Sequence, residues 1–224
     1  MRALVVDPDP TSREALRRAL VHGGYEVQSA EDGGQALAAI EGRLSDVVLL
    51  DADTPDINGV ELCRHVRRLR NHVPIMMLAA RAGDDVRIAS LEAGADDFME
   101  KPVAPEELEA RIRALRRCAA PSRQFAPLAF AEISLDISKY GAMVSDRFTE
   151  LTRMEYRLLE MFLLNPRRVL SHGQILHSVW GYDPACQSNT MRVYIGYLRR
   201  KLRKAGAREL IHTVRYVGYV LREP

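Results

Sequence analysis

At 224 residues the chain has room for two hydrophobic cores, and its net charge of +2 conceals an uneven split. Residues 1–120 hold 16 Lys/Arg against 21 Asp/Glu, a net −5, whereas residues 121–224 hold 16 against 9, a net +7, so the basic half is the one suited to nucleic acid. No apolar run approaches membrane-spanning length, the opening MRALVVDP lacks a leader pattern, and Cys63, Cys118 and Cys186 match no disulfide or metal spacing, which leads us to expect a cytoplasmic protein with reduced thiols.

Strand and helix patterns alternate through the first half. Ala3–Val6 is a short apolar strand followed by the acidic loop Asp7-Pro8-Asp9. Thr11 and Ser12 offer a helix N-cap, and the stripe Leu16, Ala19, Leu20 stops at Gly23-Gly24. Tyr25–Ala30 alternates as a strand, and Gly34–Ile40 has a helical pattern. Val47–Leu50 is an apolar run ending in Asp51 and then a Pro/Asn/Gly turn, the signature of a buried strand delivering a carboxylate to a sheet rim. The spacing then predicts helix 60–69, strand 75–78, helix 84–93, strand 98–99 and helix 106–117.

Five strands alternating with five helices predict an α/β, doubly wound, five-stranded parallel sheet. The carboxyl ends of its strands share one rim, and Asp7, Asp51 and the lone lysine of this half, Lys101, all land there. Carboxylates facing a lysine suit phosphoryl chemistry.

The segments DVVLLDADTPDINGVELC and EAGADDFMEKPVAPEELEARIRAL, with the opening LVVD, closely resemble the receiver domain of two-component response regulators over residues 1–118. The resemblance implies a phosphoacceptor at Asp51, phosphoryl pairing by Lys101, and Mg²⁺ held by Asp7, Asp51 and the Asp53 backbone carbonyl. Two positions depart from the family. Pro8 stands where a second metal-binding acid is usual, and Ala79 stands where a Thr or Ser hydroxyl is usual. Phe98 fills the aromatic switch position, and Val103 replaces a usual Phe. Losing a hydroxyl contact costs about 1 kcal/mol, and losing a charge pair at contact distance roughly 4 kcal/mol at intermediate dielectric. The expectation is weakened phosphorylation and weak or absent Mg²⁺ binding, with Asp9 or the Asp53 side chain as replacement ligands. An alternative is the haloacid-dehalogenase-like phosphatases, whose DxDxT signature matches Asp51-Ala-Asp53-Thr54, although Asp96-Asp97 here precedes Lys101.

In the second half, residues 119–127 form a short linker, and alternating segments at 128–137, 142–144 and 147–150 suggest an antiparallel sheet. Thr152 and Glu155 make a capping box for a helix that Asn165-Pro166 ends. A second helix spans 171–179, a loop 182–187, and a long basic helix 188–204. Residues 211–221 have a hairpin pattern turning near Tyr216–Gly218. The motifs LTRMEYRLLEMF, VWG, NTMRVYIGYLRRKL and IHTVRYVGYVL closely resemble the α+β winged helix-turn-helix effector of OmpR/PhoB-type response regulators over residues 125–222.

Helical spacing then sorts the basic helix. Met191, Ile195, Leu198 and Leu202 form a buried stripe. The opposite face, Asn189, Val193, Gly196, Tyr197 and Arg200 flanked by Thr190, Tyr194 and Lys201, is expected in the major groove. Arg200 and Lys201 are assigned to phosphates, as is Thr213 of the wing, and Arg215 to the minor groove. Arg192 occupies a place where the family often has an acid. The resemblance also implies a receiver homodimer through the fourth helix, fifth strand and fifth helix, with Arg87 pairing Glu107 and Asp97 pairing Arg111 between subunits. The implied partners are double-stranded DNA, a second copy, a sensor histidine kinase and RNA polymerase. The protein is expected not to be an enzyme. The open alternatives are a phosphorylation-gated regulator and a degenerate receiver gated by dimerisation, a protein or a small ligand.

Overall fold

The computed structural model describes residues 1–42, 45–69, 72–80, 83–117, 128–181 and 190–224. The expected linker 119–127, the loop 182–187, Asn189, Cys118 and Cys186 lie outside the described residues. The chain forms two units, Met1–Arg116 and Arg117–Pro224.

In the first unit β1 (Arg2–Val6), β2 (Glu26–Ala30), β3 (Val47–Asp51), β4 (Ile75–Ala79) and β5 (Asp97–Glu100) form one parallel sheet in the order β2-β1-β3-β4-β5. The strands alternate with α1 (Pro10–His22), α2 (Gly33–Glu41), α3 (Gly59–Arg68), α4 (Asp84–Glu92) and α5 (Pro105–Arg117). Val47 to Leu50 and Ile75 to Leu78 are fully buried, because helices cover both sheet faces; that is why these runs are continuously apolar rather than alternating. The α1 cap corrects an expectation. Asp9, not Thr11 or Ser12, is the N-cap, and its carboxylate accepts the N–H groups of both. Pro10 takes the first helical position, where a missing N–H is harmless.

The second unit begins with an antiparallel sheet of β6 (Ala129–Phe130), β7 (Ile133–Asp136), β8 (Gly141–Val144) and β9 (Arg147–Glu150) in sequential order. The alternating segment 128–137 is therefore two strands, divided by a turn in which Ala131 has a left-handed φ of 49°. Helix α6 (Arg153–Leu164) carries the Thr152–Glu155 capping box and stops at Asn165. The second helix starts at the Ser171 cap as α7 (His172–Ile175), continues to Trp180 as a π-helical turn, and closes on Gly181.

Helix α8 (Thr190–Ala205) precedes the hairpin of β11 (Ile211–Val214) and β12 (Gly218–Leu221). A third strand, β10 (Val169–Ser171), pairs antiparallel with β12. Sequence patterning missed it because only three residues separate a turn from a helix cap. Gly218 is required at this crossing, since a Cβ there would lie 1.9 Å from the Leu170 carbonyl oxygen.

Candidate functional site

The register of the parallel sheet builds the first cluster. Val6 pairs with Leu50, so Asp7 and Asp51 leave adjacent strand ends side by side. Ala79 pairs with Glu100, and the Lys101 N–H then donates to the Ala79 carbonyl at 2.8 Å, which turns the lysine back over the rim. Asp7 and Asp51 are both buried. The Lys101 ammonium donates to Asp7 Oδ2 at 2.6 Å and also bonds Asp51 Oδ2. Burial works to lower the Lys101 pKa, but its bonds to Asp51 and Asp7 outweigh that and leave it raised.

The remaining carboxylate oxygens are also engaged. Asp7 Oδ2 accepts the Ser12 hydroxyl at 2.6 Å and Oδ1 the Asp9 N–H at 3.0 Å, while Asp51 Oδ1 accepts the Asp53 N–H at 2.7 Å. Asp9, proposed above as a replacement ligand, spends its carboxylate on the α1 cap. The Asp53 side chain is exposed. Pro8 has no ligand atom in its ring, and its carbonyl accepts Arg13 Nη1 at 3.2 Å. Among the described residues no three His, Cys, Asp or Glu side chains converge for a metal ion. Mg²⁺ requires near-octahedral oxygen ligation, and this donor set does not fit it as placed. Ser12 and Arg13, which complete the cluster, escaped the sequence reading because both sit in an ordinary first helical turn.

Ala79 is buried beside this cluster and offers no hydroxyl. Phe98 is turned inward, with the Arg87 guanidinium 5.8 Å from its ring centre. Arg87 reaches Asp84 at 3.8 Å, and Arg111 pairs with both Asp97 (3.0 Å) and Glu107 (2.7 Å) within one chain. The charges assigned to an intersubunit network are thus occupied locally, and an interface would have to exchange them.

Helix α8 shows the buried stripe Met191, Ile195, Leu198 and Leu202. Three residues assigned to the outward face are buried instead: Thr190, Tyr194 and Tyr197. Tyr194 packs 5.5 Å from Trp180 and meets Tyr197 edge-on at 6.5 Å. Thr190, Tyr194 and Tyr197 thus widen the buried stripe along the first turns of α8, while Lys201 at the next position is only half-buried. Lys201, assigned to phosphate, is 2.5 Å from the buried Glu155 carboxylate. On α8, Arg192, Gly196, Arg200, Arg203 and Lys204 are exposed and Val193 is half-buried, with Arg200 lying 4.9 Å over the Tyr197 ring. Gly196 has open space around it. In the wing, Thr213, Arg215 and Tyr216 are exposed.

Comparison with known proteins finds a family match in each unit. Residues 3–113 match the response regulator receiver domain, and residues 146–221 match the family described as transcriptional regulatory protein, C terminal. The receiver match takes in Asp7, Asp51, Asp53 and Lys101 together, which assigns the Asp51-Ala-Asp53-Thr54 run to a receiver rather than to a dehalogenase-like phosphatase. Response regulator MprA of Mycolicibacterium vanbaalenii is 47% identical over 226 residues, covering 100% of this chain and 98% of that protein. Its counterpart in Mycobacterium leprae is 46% identical, with 100% and 99% covered. Among solved structures, a mutant of RitR superposes with a TM-score of 0.78 at 29% identity, covering 100% of this chain and 99% of that one. DrrB of Thermotoga maritima, an OmpR/PhoB homolog, gives 0.51 at 25% identity over 99% of each chain.

Proposed function

This chain belongs to the OmpR/PhoB-type response regulators, DNA-binding proteins that control transcription, and we propose that pairing of two copies, more than phosphate at Asp51, sets its binding to DNA. The observation that carries this reading is the Lys101 ammonium bridging Asp7 and Asp51, with every carboxylate oxygen already holding a donor. A phosphoryl group arriving at Asp51 must displace the lysine bond and meets neither a second metal-binding acid at Pro8 nor a hydroxyl at Ala79. Phosphorylation by a sensor histidine kinase, the usual partner of such receivers, is therefore slow and gives little drive toward an active state. A state already populated without the modification can still be drawn into a dimer by mass action.

The second unit then docks α8 in the major groove of double-stranded DNA, with the wing alongside, and presents the complex to RNA polymerase. A phosphoryl donor such as acetyl phosphate, with and without Mg²⁺, followed by intact mass and by sedimentation, tests this reading. We expect little added phosphoryl mass and a dimer that forms regardless. Rapid stoichiometric labelling coupled to dimer formation from a pure monomer would overturn it.

A further inference from the structure

We infer that Arg199 is the positioning residue of the DNA-binding surface, fixing the wing to α8 and leaving the Thr213 hydroxyl hydrogen free for a backbone phosphate of double-stranded DNA. Arg199 lies on α8, yet its side chain is only 25% exposed. Its Nε donates to the Ile211 carbonyl at 2.9 Å and lies 3.2 Å from Glu209 Oε1. Its Nη2 donates to Thr213 Oγ1 at 3.0 Å, and the guanidinium sits 5.7 Å from the Tyr219 ring centre. Thr213 and Tyr219 are directly opposed in the β11–β12 ladder, so one planar group spans the cross-strand pair. A guanidinium can bond in its plane and stack through its face at once, which a lysine ammonium cannot do.

Hydrogen-bond chemistry then settles the direction at Thr213. Arginine carries donors only, whereas a hydroxyl has one donor hydrogen and two acceptor lone pairs. The Arg199 bond uses a lone pair, and the O–H remains for an acceptor outside the domain. Thr213 is exposed, near Arg215 and the fully exposed Tyr216 of the turn. A phosphate oxygen is the acceptor that such a basic surface meets. The charge of Arg199 is meanwhile shared with Glu209, whose other oxygen holds Arg203 Nη2 at 2.5 Å. Arg199 accordingly acts through Thr213 and does not itself neutralise a phosphate.

This inference rests on the DNA-binding function above. The test uses the full-length protein and a duplex recovered by selection from a random pool with the unmodified chain, with Kd measured across a salt series. We expect Thr213→Val to weaken binding about fivefold, the worth of one hydrogen bond, and Thr213→Ser to restore it. Arg199→Gln should weaken binding at least as much, and adding Thr213→Val to it should cost nothing further. Neither variant should change the salt slope. Additive losses, or a slope reduced by about one in Arg199→Gln, the mark of a direct phosphate contact, would overturn the inference, as would full affinity in Thr213→Val. If Arg199→Gln fails to fold, Arg199→Lys replaces it. The lysine keeps the charge but loses the fork, and full affinity there is equally fatal. Failure of the unmodified protein to select any duplex would remove the DNA-binding premise and the inference with it.

Discussion

The Lys201 ammonium lies 2.5 Å from Glu155 Oε2, so α8 and the start of α6 are joined by an ion pair whose acid is buried. The same oxygen accepts the Thr152 N–H at 2.7 Å, which makes the helix cap and the interhelical tie one structure. Breaking a buried pair costs about 3–5 kcal/mol, and Lys201 is 34% exposed, so solvent screening reduces this to about 1–2 kcal/mol. Lys201→Ala should destabilise the second unit by that amount in urea unfolding. The salt slope of DNA binding should stay unchanged, because this ammonium is committed to Glu155. A slope reduced by about one would return Lys201 to the phosphate-contacting set.

Pro8→Asp combined with Ala79→Thr should raise both Mg²⁺ affinity and acetyl-phosphate labelling of Asp51. The first change supplies a carboxylate beside Asp7, and the second a hydroxyl beside the phosphoryl position. Isothermal titration and intact mass report the two effects separately. An unchanged labelling rate in the double variant would show that the lysine bridge, not the missing groups, limits the reaction.

The raised pKa of Lys101 carries a pH dependence on the alkaline side. A cation whose folded pKa exceeds its unfolded value of 10.5 contributes stability that is complete below 10.5 and is lost as pH rises through the folded pKa. The first unit should therefore hold the Lys101 contribution undiminished across roughly pH 6–9. Lys101→Met should lower stability by a constant amount in that window, and the gap to the unmodified protein should close under strongly alkaline conditions. A gap that varies near neutrality would point to a different titrating group.

On α8, buried and exposed residues should separate cleanly. Tyr197→Ala opens a cavity beside Tyr194 and should cost about 3 kcal/mol of stability in the second unit. Arg192→Ala should leave stability intact, weaken binding to all duplexes alike, and reduce the salt slope by about one. Val193→Ala should shift sequence preference. A Tyr197→Ala protein of full stability and altered preference would restore the earlier helix register.

The parallel sheet was legible in the sequence because burial on both faces leaves no other pattern for residues such as Val47–Leu50 to follow. The rim was legible for the same reason: Asp7 and Asp51 are the polar residues at which the buried runs Ala3–Val6 and Val47–Leu50 stop, and Lys101 follows the run Phe98-Met99 one residue after Glu100. What patterning could not supply was side-chain commitment. Asp9 could be imagined as a metal ligand until its carboxylate was found on two helix N–H groups. Tyr194 and Tyr197 carry polar tips on a basic helix, and only the position of Trp180 shows that they face inward. Arg199 was one arginine among several until the wing folded against it. Such assignments depend on partners distant in sequence, which no local period encodes.

Trp180 is the single tryptophan of the chain, and it is fully buried against Tyr194 of α8. Indole emission excited at the red edge of absorption therefore comes from the second unit alone, and the first unit is silent at that wavelength. The native chain is its own domain-resolved optical probe. Melting of the first unit, seen by circular dichroism without an emission change, is separable from melting of the second, and a duplex that shifts α8 against its neighbours announces itself without an attached dye.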